Sequence, residues 1–201
     1  MSRAALIRIG VIGGILLFLI LLIRGCVTSP YNNMVSKNQD VKKAWGDVEA
    51  QYQRRADLIE NLVETVKGYS KFEKSTLTEI AGLRSQAGQS KVDLGNSNLP
   101  IEDKIKAANQ VETTMARLMV VFERYPDLKA IEGYNNLMVE MTGTENRVAV
   151  ARQRYNTAVK EFNSYILTFP NNMIKGIGGF KEMPYFQADK GSEKAPKVKF
   201  D

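Results

Sequence analysis

Apolar side chains recur at intervals of three and four residues through residues 51–73, QYQRRADLIENLVETVKGYSKFE. Continued in both directions, this spacing predicts one amphipathic helix over residues 30–84. The stripe consists of Val41, Trp45, Val48, Tyr52, Ile59, Leu62, Val66, Tyr69, Ile80 and Leu83, and Arg55 interrupts it. Burial of the apolar face supplies most of a helix's stability, so other helices must cover the stripe.

Prolines divide the rest of the chain into two further predicted helices. Pro100 and Pro126 suit the first turn of a helix, and Phe169 precedes a third proline, a position that disfavours helical backbone. The polar stretch 85–99 predicts a loop. We therefore predict an all-α fold, an elongated antiparallel bundle of three long helices over residues 30–84, 100–125 and 126–169. A tail, 171–201, follows with a short irregular or helical element and a partly disordered end.

The segment 9–23, IGVIGGILLFLILLI, carries no charge and lies between Arg8 and Arg24. It predicts an N-terminal transmembrane helix in contact with membrane lipid, so residues 1–29 form a membrane anchor and joint. The residues that end at Cys26 also resemble a lipoprotein cleavage site, at which Cys26 would be lipidated. Arg24 is atypical of such a site, which favours a single-pass anchor. We expect the bundle, 30–170, to be extracytoplasmic.

Composition excludes several classes of function. The chain has 28 basic and 22 acidic residues, interleaved along the predicted helices, which is typical of solvated faces and not of a nucleic-acid surface. It contains no histidine and one cysteine, so neither a zinc site nor a disulfide framework can be built within one chain. No recognisable nucleophile motif is present. We therefore predict a protein that is not an enzyme, with no cofactor, metal or small-molecule substrate.

Charged residues lie beside the apolar stripes of the first and third predicted helices. They are Arg54 and Arg55 on the first helix and Glu145 and Arg152 on the third; we call these four residues the charged layer. A partly buried arginine needs a carboxylate, so we predict an ion-pair network that fixes helix register, with Arg55 or Arg152 paired to Glu145. A pocket for an anionic ligand is the alternative.

Three aromatic residues stand apart from the helical stripes. Phe180, Tyr185 and Phe186 follow the glycine-rich stretch 176–180 in the tail. They could pack back on the bundle or bind a partner, since exposed aromatic clusters mark binding surfaces. An up, down, up path through three helices places the tail at the end of the bundle far from the anchor, which makes these residues candidate partner contacts.

Three motifs in order along the chain, RRADLIENLVETVKGY at 54–69, ERYPDLKA at 123–130 and TENRVAVARQRYN at 144–156, resemble the bacterial LemA family. The resemblance covers about residues 31–186 and implies a membrane-anchored helical bundle. Family members usually carry proline where this chain has Glu60, so the helix here should continue without a kink. We predict a non-enzymatic scaffold or adaptor at the cell envelope that binds a protein partner or itself. A sensor that binds a ligand at the charged layer is the alternative.

Overall fold

The computed structural model describes residues 3–69 and 71–187, and all regular secondary structure in these ranges is helical. The all-α prediction is therefore confirmed. In chain order the elements are α1 (Arg3–Ile23), a π-helical turn (Arg24–Thr28), α2 (Ser29–Val66), α3 (Lys74–Gly95), α4 (Ile101–Glu123), a 3-10 turn (Pro126–Ala130), α5 (Tyr134–Leu167) and α6 (Asn171–Ile174).

The described chain divides into two compact units. The first unit contains residues 3–43 and 157–183, and the second contains residues 44–69, 71–156 and 184–187. The helices α2 and α5 each contribute to both units.

The first predicted long helix is two helices. As expected, α2 continues through Glu60, but it ends at Val66 instead of residue 84. Gly68 follows, and glycine costs about 1 kcal/mol relative to alanine inside a helix. Beyond it, the rings of Tyr69 and Phe72 pack edge-on against Tyr125, with centroids 6.2 and 4.8 Å apart. Packing with a residue distant in sequence thus ends a helix that the local periodicity would continue.

The predicted loop at residues 85–99 is also wrong, because α3 continues to Gly95. Its buried residues Ala87, Ser90 and Leu94 keep the helical spacing, but two of them are too small or polar to give a clear apolar pattern. The helix runs back along α2: Arg84 pairs with Glu64 at 3.0 Å, and residue 91 lies beside residue 57 through an ion pair. Only residues 96–100 connect α3 to α4.

In the second unit, antiparallel neighbours form a bundle of four helices, not three. The second part of α2, all of α3 and α4, and the first part of α5 contribute. Arg124 beside α4 pairs with Glu79 of α3 at 3.1 Å, and the rings of Trp45 and Tyr155 join α2 to α5 at 5.4 Å. The largest fully buried side chains of this unit are Tyr52, Tyr155, Ile59, Leu62, Leu94, Leu118, Leu128 and Val48.

The second predicted helix, 100–125, is confirmed as α4, whereas the third begins later than predicted. Pro126 opens a 3-10 turn that ends at Ala130, and α5 begins at Tyr134. Between them Gly133 has a φ angle of +82°. This left-handed conformation breaks the helix that the proline was expected to begin.

In the first unit the end of α5 returns to the beginning of α2. Lys37 of α2 pairs with Glu161 of α5 at 3.3 Å, and Phe180 lies 5.7 Å from Tyr31 between ring centroids. The expectation that the tail leaves at the end far from α1 is therefore wrong for residues 171–183, which belong to the same unit as α1. The expectation was built on three helices after the anchor, whereas the described residues form four long α-helices, α2 to α5, before residue 171.

The helix α1 presents apolar side chains on all sides. Every position of α1 at which the side chain is described, residues 3 and 7–21, is exposed. Across the ranges 3–69 and 71–187, no helix has both the length and the apolar character needed to cross a membrane.

Substitution of Gly133 tests the turn before α5. Gly133→Ala should lower the free energy of unfolding by about 1 kcal/mol, because a Cβ atom strains the left-handed backbone. Gly143→Ala is the matched control inside α5, where the nearest atom to the new methyl group is Arg147 Nη2 at 3.7 Å. It should stabilise by about 0.5 kcal/mol or more. Urea unfolding of the full chain in detergent, followed by circular dichroism, measures the change in unfolding free energy for both variants. Changes of the same sign would contradict a left-handed conformation at Gly133.

Candidate functional site

One carboxylate oxygen in the second unit collects three donors from two other helices. Glu112 of α4 accepts hydrogen bonds at Oε1 from Arg55 Nη1 at 2.6 Å and from Arg152 Nη2 at 3.0 Å. The hydroxyl of Tyr52 donates to the same oxygen at 3.1 Å. The Arg55 side chain is 7 % exposed and that of Glu112 is 30 % exposed. This arrangement is the predicted ion-pair network with a different carboxylate.

Glu145, the predicted partner, is exposed and forms no ion pair within the described part of the chain. Arg54 also points away from the network and pairs with Glu140 at the surface. The prediction considered only the first and third predicted helices as facing each other. Glu112 lies on α4, which contributes the missing carboxylate.

Burial dominates the electrostatics of this network. It raises the pKa of Glu112, Arg55 opposes that rise, and the negative charge of Glu145 adds to it. Burial likewise lowers the pKa of Arg152. In ion pairs of this kind desolvation offsets much of the attraction between the charges, so an intact pair generally adds little net stability. Loss of one partner is destabilising, because it leaves a buried charge without a charge of opposite sign.

The tail segment, residues 181–187, joins the charged layer at Phe186. The Phe186 side chain is buried, and its ring is parallel to that of Tyr52 within 7°, with centroids 5.9 Å apart. The guanidinium carbon of Arg152 lies 4.5 Å from the centre of the Phe186 ring. This is within the range of cation–π attraction. Two features that the sequence analysis treated separately thus form one site.

Asparagine side chains hold the main chain of the tail segment. In the second unit Asn156 Nδ2 donates to the carbonyl oxygen of Phe186 at 3.0 Å, and the Phe186 N–H donates to Asn156 Oδ1 at 2.8 Å. In the first unit Asn163 forms the same pair of bonds with Met183, both at 2.8 Å. Neither asparagine was predicted from the sequence. Their only signal is the spacing of seven, which places two amides on one face of a helix.

The three candidate partner contacts differ in their exposure. Phe180 is half-buried, with its ring 6.2 Å from that of Phe162 in the first unit. Phe186 is buried in the second unit, so each of these two residues packs within its own unit. Tyr185 is 43 % exposed. Of the three, Tyr185 is the most exposed and remains the candidate contact for a partner.

No described group of three His, Cys, Asp or Glu side chains is placed to hold a metal ion. A groove of about 410 Å³ in the second unit is lined by Asp47, Gln51, Asn146, Arg147, Val150, Ala151 and Arg154. None of the four residues of the charged layer lines this groove. The side chain of Cys26, the possible lipidation site, lies outside the described residues.

Comparison with known proteins gives one family. The model of the LemA family matches residues 44–200. The magnetosome proteins MamQ 1 and MamQ 2 of Paramagnetospirillum magneticum are each 27 % identical over 179 residues, which cover 78 % of this chain and 64 % of each relative. Protein LemA of Metamycoplasma hominis is 28 % identical over 157 residues, which cover 78 % of this chain and 68 % of that protein. The chain thus spans less than two thirds of the length of the MamQ relatives.

Proposed function

The chain belongs to the LemA family, and from this premise we propose that it is a non-enzymatic, membrane-attached helical scaffold or adaptor at the bacterial cell envelope. The observation that carries the proposal is the apolar surface of α1. A helix that is apolar on all sides is stable when it is buried, either inside a protein or in lipid. The described positions of α1 are exposed, so lipid is the environment that fits them.

The finer part of the proposal is a single-pass anchor over residues 9–23, with the bundle on the extracytoplasmic side. It rests on the uncharged sequence of that segment, because α1 as the structure describes it is not by itself a candidate span. The anchor is preferred to lipidation of Cys26 because Arg24 is atypical of a lipoprotein cleavage site. A protein partner or a second copy would bind the bundle that this anchor holds at the membrane, and Tyr185 is the candidate contact.

The state of the charged layer supports a scaffold over a ligand sensor. Arg55 and Arg152 both pair with Glu112, so an anionic ligand would have to displace a carboxylate that accepts three hydrogen bonds. Arg152 also contacts the ring of Phe186. These groups hold helices and tail together, which is a structural role.

Lysine substitutions in α1 test membrane attachment. The double variant Ile15→Lys/Leu19→Lys should lose resistance to alkaline carbonate extraction and move to the soluble fraction. Each lysine costs about 3 kcal/mol at the centre of an inserted helix. The fraction of the full chain left in the membrane pellet is the measurement.

The matched control is Val92→Lys/Val139→Lys, which changes two exposed valines in the second unit and should leave the protein in the pellet. Cys26→Ser separates the anchor from lipidation, since an anchored protein stays in the pellet with a mass lowered only by the substitution. Carbonate resistance of the α1 double variant equal to that of the wild type would refute attachment through α1.

A further inference from the structure

Three large apolar side chains of the first unit are exposed in the segment that follows α5 and includes α6. Phe169 is 79 % exposed, Met173 is 73 % exposed and Ile177 is 75 % exposed. Met173 lies on α6, whose buried residues are Asn171 and Ile174, and Phe169 and Ile177 lie just before and just after that short helix. We call these three exposed side chains the apolar knob. An exposed group of this kind marks an interaction surface.

Contacts within the first unit place the apolar knob near the junction of α1 and α2. Phe180, which follows the knob, packs against Tyr31 in the first turn of α2. On the preceding side, Lys37 Nζ lies 5.9 Å from the ring centre of Tyr165 near the end of α5. The knob is therefore held near the beginning of α2, the helix that follows α1 in the same unit.

Basic side chains accompany the apolar knob. Lys175 lies between Met173 and Ile177, and Lys181 follows, with Glu182 as the acidic neighbour. Neither lysine forms an ion pair with any residue in the described ranges. Apolar side chains flanked by lysines suit the surface of a bilayer, where the apolar groups enter the acyl boundary and the lysines meet anionic headgroups.

We propose that Phe169, Met173 and Ile177 form a second membrane contact, which inserts into the interface of a bilayer containing anionic phospholipid beside α1. The inference rests on the proposed membrane attachment through α1, with which the knob shares a unit. Lipid is favoured over a second copy of the chain because the knob belongs to the same unit as the exposed apolar helix α1 and is flanked by two lysines. This contact would fix the orientation of the first unit on the membrane.

A fluorescent label measures the depth of the knob. In the full chain with Cys26→Ser, Met173→Cys is labelled with nitrobenzoxadiazole and the protein is reconstituted into phosphatidylethanolamine and phosphatidylglycerol vesicles. Val139→Cys is the matched control, because Val139 is 74 % exposed in the second unit. At position 173 the emission should shift to shorter wavelength, and lipids spin-labelled near the headgroup should quench it several-fold more than at position 139.

The other outcomes each overturn the inference. If the protein floats with the vesicles but the lipids quench the labels at positions 173 and 139 equally, α1 attaches the protein and the knob does not contact the membrane. A wavelength shift at position 173 without quenching by lipid shows that a second copy covers the knob. Failure of the protein to float with vesicles refutes the proposed attachment through α1 together with this contact.

Discussion

Glu112→Leu should lower the free energy of unfolding by about 3 kcal/mol, because it leaves the charges of Arg55 and Arg152 without a carboxylate. The Arg55 side chain is almost fully buried, so water cannot replace the lost partner. We place the effect at the low end of the range for buried pairs because the Glu112 side chain retains 30 % exposure. Urea unfolding of the full chain in detergent, followed by circular dichroism, gives the free energy.

Glu145→Leu is the matched control for the Glu112 experiment. Glu145 is exposed and has no ion-pair partner among the described residues, so the change should stay within about 0.5 kcal/mol. Removal of its negative charge should also ease the ionisation of Glu112, because Glu145 raises the pKa of that carboxyl. Equal losses for the two leucine variants would show that the three hydrogen bonds to Glu112 do not carry the network.

Phe186→Ala should cost about 3 kcal/mol, the usual range for a buried aromatic ring replaced by alanine. The ring is 5 % exposed and lies among Trp45, Tyr52 and Arg152. Its loss should also release the tail segment, which urea unfolding alone cannot distinguish from weaker packing. Hydrogen exchange at the main-chain N–H of residue 186 distinguishes release of the tail from weaker packing. That group donates to Asn156 Oδ1 and should exchange faster in the variant if the tail is released.

The neighbouring aromatic residue provides the control for Phe186. Tyr185→Ala removes a ring that is 43 % exposed, so its cost should stay below about 1 kcal/mol and the N–H of residue 186 should remain protected. If both alanine variants leave stability and exchange unchanged, the tail segment does not dock on the second unit in solution. A partner-binding role for Tyr185 would predict loss of binding without loss of stability.

Helices whose stripes depend on local spacing could be predicted from sequence. The helix α4 and most of α5 agree with the predicted ranges 100–125 and 126–169, and their buried residues Val111, Met115, Leu118, Val148 and Tyr155 keep the spacing of a helical face. The break after Val66 could not be predicted, because Tyr69 fits the stripe as well as a residue inside a helix would. What ends α2 is packing against Tyr125, which follows two helices later, and periodicity carries no information about such contacts.

The candidate site shows the same limit. Arg55 and Arg152 were identifiable because charge beside an apolar stripe requires a partner. The identity of that partner depends on which helices pack together, and the carboxylate lies on α4, which the prediction did not place against the charged layer. Glu112 was therefore not predicted. The packing of Phe186 depends on its contacts with Asn156 and Arg152, which only the structure reveals.

The hydrogen bonds from asparagine side chains to the tail segment determine which amino-acid substitutions that segment can tolerate. Asn156 and Asn163 bind the N–H and carbonyl groups of Phe186 and Met183, and every amino acid except proline supplies both groups. Codon changes at position 183 can therefore accumulate with the tail still held, whereas aspartate at either asparagine position would lose the N–H donor. Selection should therefore conserve Asn156 and Asn163 of α5 more strongly than the tail residue at position 183.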